Sequence, residues 1–306
     1  MKTLLTALVT CAIFGLTSIP VSAQLLTVGK DRNDFKDFKG STLYVTATGH
    51  QGMDRALKEA FETYWTYTPV EFLPENYDTE EAFKDESKYF FAFITVTKTS
   101  GSTTTFSRTT DNLTLFRGHK KGFDKMDARN FLFGMPRAHY GNEDDLGDMV
   151  YRIKPFIKYM NDIFTAMDEE KSTLSTPMGR AKWQEETFPV RDGRLESKTL
   201  LIPYNFVKPD DVGDVKRAGA QGRRWSSSLD IEGIEKVYPH RFEVVSDEEI
   251  GKAIAEKRAG TAVLVPIIST TKLIFVIDTE NYDVLHTGIE ASGLAMKKKD
   301  FKAITK

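Results

Sequence analysis

A short basic segment carries the strongest indication of a binding site in this sequence. Arg223 and Arg224 stand next to Trp225 in a stretch that is rich in glycine. Guanidinium groups bind phosphate or carboxylate through paired hydrogen bonds, and an indole ring offers a flat surface for stacking. The glycines fit neither a Walker loop nor a dinucleotide fingerprint. The segment therefore predicts a site for a small anionic ligand, with a solvated surface loop as the alternative.

A second candidate pairs His50 with Asp54 at the expected start of a helix. Four residues apart at that position, the imidazole and the carboxylate lie within reach of each other and of free amide groups that favour anions. Acid/base or metal chemistry would need further groups, and the spacing assigns no third ligand. We therefore predict ligand contacts for this pair, with no metal and no cofactor.

The remaining residues that could do chemistry form no catalytic pattern. The other histidines are scattered, and no nucleophile elbow of the Gly-x-Ser-x-Gly type occurs. The sequence favours a protein that is not an enzyme. With a net charge of −2 over 306 residues, it also lacks the basic stripe that nucleic-acid binding requires.

The amino-terminal residues 1–23 predict a secretory signal peptide. Lys2 provides the positive start, an apolar centre follows, and cleavage is expected after Ala23. The single cysteine, Cys11, lies inside this segment, so the mature chain forms no disulfide and no thiolate metal site. We expect an exported protein, periplasmic or extracellular, that is soluble after cleavage and has no transmembrane segment in its mature part.

Two stretches of the chain share one order of elements, which predicts an internal repeat. From Thr199 onward the pattern indicates strand, helix, strand, helix, strand and hairpin, and the same order begins at Thr42. We place the first hairpin turn at Asp111 and Asn112. The fold class is therefore α/β (α+β), with two tandem strand-helix-strand-helix-strand-hairpin units. The predicted boundaries are 24–140 for the first unit, 141–196 for a connector and linker, and 197–306 for the second unit.

A long amphipathic helix is predicted to join the two units. Apolar residues recur at spacings of three and four from Leu146 to Met167. So wide an apolar stripe indicates burial across both units, with a partner or dimer surface as the alternative. Pro155 is expected to kink or end the helix.

The repeated element order resembles the periplasmic α/β domains of penicillin-binding-protein activator lipoproteins and of curli-secretion lipoproteins. The segments YPHRFEVVSDEEI, from Tyr238, and TAVLVPII, from Thr261, carry this resemblance. The chain as a whole resembles exported proteins of Bacteroidetes. The resemblance implies binding of partner proteins rather than catalysis. The chain departs from those families because it lacks a lipidated cysteine and carries two units in series.

The sequence therefore predicts a non-catalytic exported protein that acts through protein or cell-envelope contacts. Its partner is either an unidentified envelope protein or a second copy of itself. The alternative is a protein that binds a small anionic ligand in a cleft between the two units.

Overall fold

Two five-stranded mixed sheets form the framework of the computed structural model. The structure describes residues 37–100, 106–123, 131–136, 147–169, 183–184, 186–189, 193–207, 229–268, 272–290 and 296–305. The predicted signal peptide lies outside these residues.

The first sheet has the strand order β2-β1-β3-β4-β5. Its strands are β1 (Leu43–Val45), β2 (Val70–Phe72), β3 (Tyr89–Ser100), β4 (Phe106–Arg117) and β5 (Phe131–Pro136). β1 lies parallel to both β2 and β3, and the next two pairs are antiparallel.

The second sheet has the strand order β10-β9-β8-β6-β7. Its strands are β6 (Thr199–Pro203), β7 (Phe242–Val245), β8 (Thr261–Ile268), β9 (Lys272–Asp278) and β10 (Val284–Glu290). β6 lies parallel to both neighbours, and β8, β9 and β10 follow as antiparallel pairs. Each unit thus places its first strand between its second and third strands. This shared connectivity confirms the predicted fold of two tandem units.

The helices occupy equivalent points in the two units: one follows the first strand, one the second strand and one the fifth strand. They are α1 (Gln51–Tyr64), α2 (Thr79–Ala82), α3 (Gly147–Glu169), α4 (Ile231–Glu235), α5 (Asp247–Ala255) and α6 (Lys298–Ile304). α5 begins as its sequence predicts, because the Ser246 side chain accepts a hydrogen bond from the Glu249 N–H at 3.2 Å. α1 buries one face through Met53, Leu57 and Phe61.

The α3 helix lies between the two sheets. Its stripe is buried at Met149, Ile153, Ile157, Met160, Ile163 and Phe164. These side chains share one core with α1, with the first sheet and with the inner face of the second sheet. Each buried side chain of this size contributes about 1.5–3 kcal/mol. The helix does not end at Pro155, since burial on both sides outweighs the one backbone hydrogen bond that proline removes.

The two units present different faces to this shared core. The first unit contributes the face covered by α1, which connects its first and second strands. The second unit contributes the face covered by α5, which connects its second and third strands. Its other face is covered by α4 and α6. The contact between the units is therefore heterologous, because two units with the same strand connectivity meet through different faces of their sheets.

Polar contacts also join the units. Lys158 of α3 lies 3.0 Å from Asp283, which also binds Arg194 at 2.9 Å. Partial burial alone would raise the pKa of Asp283, but the hydrogen bonds from Lys158 and Arg194 hold it below its ordinary value. The Lys257 ammonium lies over the rings of Tyr64 and Tyr282, at 5.8 and 5.4 Å from their centres.

The predicted first hairpin turn is wrong. Asp111 and Asn112 lie within β4, opposite Thr95 and Ile94 of β3. The strands continue to the pair Ser100↔Phe106. The polar run from Ser107 to Asn112 resembled a turn, but its threonines also have strand propensity.

Candidate functional site

The chain leaves the first sheet at the end of β1. β1 pairs with β3 only as far as Val45↔Phe91, and the last bond joins the Thr46 N–H to the Phe91 carbonyl at 3.0 Å. The Asp54 carboxylate on α1 then accepts hydrogen bonds from the Thr48 backbone N–H at 2.7 Å and the Thr48 hydroxyl at 2.8 Å. Asp54 therefore fixes the turn that carries the chain out of the sheet and into α1.

His50 lies at the same turn, where it is the exposed N-cap residue of α1. Its ring packs edge-on against Phe93 of β3, with 6.2 Å between ring centres. Its backbone N–H donates to the Thr48 hydroxyl at 3.2 Å. The described contacts include no hydrogen bond between His50 and Asp54, whose carboxylate oxygen already holds Thr48. The two residues thus lie at one turn without forming an acid/base pair.

The predicted ligand residues Arg223, Arg224 and Trp225 lie outside the described residues. They belong to the connection from β6 to α4, whose described ends are Val207 and Leu229. His50 belongs to the equivalent connection, from β1 to α1. Both candidate groups therefore follow the first strand of their unit, in the connection that leaves its carboxyl end. In open α/β sheets, ligands bind at the carboxyl ends of the strands. The binding crevice lies between two neighbouring strands whose connections run in opposite directions.

A two-stranded ribbon extends beyond the first sheet. β3 and β4 pair continuously from Tyr89↔Arg117 to Ser100↔Phe106, but β5 accompanies β4 only from Asn112 to Phe116. The six pairs from Thr95↔Asp111 to Ser100↔Phe106 have no third strand beside them in the described part of the chain. We call residues 95–100 and 106–111 the β3–β4 ribbon. It is about 20 Å long at ~3.3 Å per residue.

The described residues of the second unit form no such ribbon. β8 and β9 pair from Ala262↔Asp278 to Ile268↔Lys272, and β10 accompanies β9 up to Lys272. Sequence reasoning missed the ribbon in the first unit. The signal was the run of threonines and other polar residues in TVTKTS and FSRTTD, which has strand propensity without an apolar face.

A small cavity lies between the two units. It has a volume of about 30 Å³ and is lined by α3, Met135 of β5 and the inner face of the second sheet. Its lining is apolar apart from Arg152, which is 6% exposed, and the Tyr159 hydroxyl, which accepts a hydrogen bond from the Gln184 amide. Burial raises the pKa of Tyr159. This space is large enough for a water-sized group and is predominantly hydrophobic.

Metal-ligating side chains do not gather anywhere in the described residues. The described helices include none that is long and apolar enough to cross a membrane. No protein-family model, curated protein or solved structure matches this chain.

Proposed function

We propose that this chain is a non-catalytic exported protein that acts through contacts with another protein of the cell envelope. The β3–β4 ribbon carries this contact. The observation that supports it is the difference between the two units, which share their strand connectivity but not the ribbon.

The ribbon adds little to the stability of the first unit. A two-stranded ribbon alone is marginally stable in water, since it has no third strand or helix to bury a face. The second unit completes the same connectivity with a hairpin that stops at Ile268↔Lys272. An extension that adds little to the stability of the fold is best explained by a contact with another molecule.

Shortening the ribbon is expected to abolish partner binding without unfolding the protein. The variant replaces residues 96–110 with Ser-Thr-Thr, the sequence of the 269–271 connection in the second unit. We expect an unchanged circular dichroism spectrum and loss of the proteins that the wild type captures by cross-linking in an envelope extract. Phe72→Ser, at an exposed position on edge strand β2, serves as the control. Equal capture by the shortened variant and the wild type would contradict the proposal.

A second candidate function is the binding of a small anionic ligand in the cleft between the units. The cavity beside Arg152 favours it, because a guanidinium can bind a carboxylate small enough for this space through paired hydrogen bonds. Saturating formate, the smallest carboxylate, is expected to raise the melting temperature by about 5 °C, and Arg152→Met to remove this shift. Phosphate with Arg223→Ala tests the basic segment in the same way. A melting temperature that neither anion changes would exclude this candidate.

A further inference from the structure

We propose that the open edge of β3 binds an extended acidic peptide segment of the partner protein as an added strand. This inference rests on the proposed function and specifies the partner's chemistry. β1 pairs with one side of β3, from Tyr89 to Phe91. The open edge is the continuation of that same side, from Phe93 to Thr99. Strand addition to an exposed edge is a common mode of peptide recognition, in which backbone hydrogen bonds provide the affinity.

The backbone groups on this edge can be assigned from the register. The Phe91 carbonyl points towards β1, because it accepts the Thr46 N–H. Backbone groups alternate in direction along a strand, and the β3–β4 register runs without a shift. The N–H and C=O groups of Phe93, Thr95, Thr97 and Thr99 therefore point away from β4. No described strand pairs with them.

The described part of the chain leaves this edge open. β1 would cover it if it continued past Thr46, but Asp54 holds Thr48 in the turn towards α1. An added strand would take the position that β1 leaves. Asp54 thus has a positioning role at the base of the proposed site.

The corresponding edge of the second unit is closed by a proline. The Thr261 carbonyl points towards β9, since it accepts the Thr279 N–H at 3.3 Å. By alternation, the nitrogen of Pro266 points to the other side, where β6 pairing has already ended at Val263. Pro266 therefore removes a donor from the open side without costing β8 a bond to β9. Prolines on edge strands prevent pairing with other chains. The edge of β3 from Phe93 to Thr99 contains no proline.

The charge of the ribbon favours an acidic partner, because it contains two basic residues, Lys98 and Arg108, and one acidic residue, Asp111. Lys98 and Arg108 are register partners in the ribbon, whereas Asp111 lies opposite Thr95 at its base. Like charges at opposite positions destabilise a strand pair, and an anionic segment beside them would offset the repulsion. A second copy of this chain would bring two further cations to the same place. The charges therefore favour an acidic peptide over self-association.

The test uses a blocked synthetic peptide of about eight residues that alternates valine with glutamate. We expect it to bind the full-length mature protein, and to bind Thr97→Pro at least ~10-fold more weakly because that variant loses an open-edge donor. Thr109 is the register partner of Thr97, so its N–H points to the opposite edge. Thr109→Pro is therefore the matched control and is expected to change the affinity less than about 2-fold. Hydrogen exchange should show protection of the Thr95, Thr97 and Thr99 amides in the complex.

Several results would overturn strand addition. These are no binding of the acidic peptide, equal loss of binding in the two proline variants, and equal binding of a valine–lysine peptide. Dextran sulfate is a polyanion that cannot add a strand. If it displaces the peptide, and if the wild type and Thr97→Pro bind it with the same affinity, the ribbon attracts anions without pairing with a strand. Self-association that Thr97→Pro abolishes would assign the edge to a second copy. If the peptide fails while the shortened ribbon still loses its envelope partner, the proposed function stands and only this inference is wrong.

Discussion

Replacing Lys272 with methionine is expected to lower the free energy of unfolding by about 3–5 kcal/mol. The Lys272 ammonium is fully buried and lies 2.6 Å from the Asp300 carboxylate, which is itself nearly inaccessible. Without its partner charge, Asp300 would remain as a buried carboxylate. Removing one partner of a buried ion pair is costly for this reason, whatever the net contribution of the intact pair. Urea denaturation followed by circular dichroism measures the loss.

The double variant Lys272→Met/Asp300→Asn shows whether the loss of stability comes from the unpaired buried charge or from the lost packing of the lysine side chain. The same carboxylate oxygen of Asp300 accepts the Lys297 N–H at 2.7 Å and so caps α6. An asparagine oxygen can still accept that bond, and no charge is left behind. We expect the double variant to recover most of the stability. Lys252→Met, which breaks an exposed pair with Glu248, should change nothing measurable. This account would be wrong if the double variant lost as much free energy of unfolding as the two single variants together.

The order of elements was predictable because it depends on local patterns. Ser246 followed three residues later by Glu249 is a pattern that predicts the start of a helix, and the structure shows this cap at α5. The continuous apolar run from Ala262 to Val265 predicts a strand buried on both faces, and all four residues are buried in β8. Such patterns persist in each unit because each must cover its own sheet.

The differences between the units were less accessible to sequence reasoning. The segments that follow Gly122 and Gly293 share a pattern, a polar stretch and then a phenylalanine, which predicts equivalent positions for Phe131 and Phe301. In the structure, Phe131 opens strand β5 whereas Phe301 lies in helix α6. The helix equivalent to α6 is α3, which follows the fifth strand of its own unit. Its long stripe reflects its position between two sheets, and that position follows from tertiary packing rather than from local spacing.

The candidate site was predictable by residue type but not by contact. Asp54 was chosen for its distance from His50 along a helix, yet its hydrogen bonds go to Thr48. The neighbour of His50 is Phe93, more than forty residues away in the chain. No spacing rule connects a turn to the third strand of the sheet. The proposed site, the open edge of β3, depends on where β1 stops.

A close backbone approach fixes the base of the β3–β4 hairpin at Gly118. The chain here is joined to the turn after α2 by two backbone hydrogen bonds, Gly118 N–H to the Lys88 carbonyl at 3.0 Å and His119 N–H to the Phe83 carbonyl at 2.8 Å. A Cβ atom at Gly118 would lie 2.0 Å from the Asp85 carbonyl oxygen. Since the obstructing atom is backbone, the clash cannot be relieved by turning a side chain.

Gly118→Ala is therefore expected to destabilise the protein by about 3 kcal/mol or more, because the hairpin must move away from the turn and lose both hydrogen bonds. Gly122→Ala is the matched control. Gly122 has a φ of +80° with no atom within 4 Å of the added Cβ, so that change should cost only about 1 kcal/mol of backbone strain. Urea denaturation of both variants gives the comparison, and hydrogen exchange should show faster exchange of the Gly118 and His119 amides in Gly118→Ala. Equal stability of the two variants would show that the Asp85 turn yields to the methyl group and does not fix the hairpin.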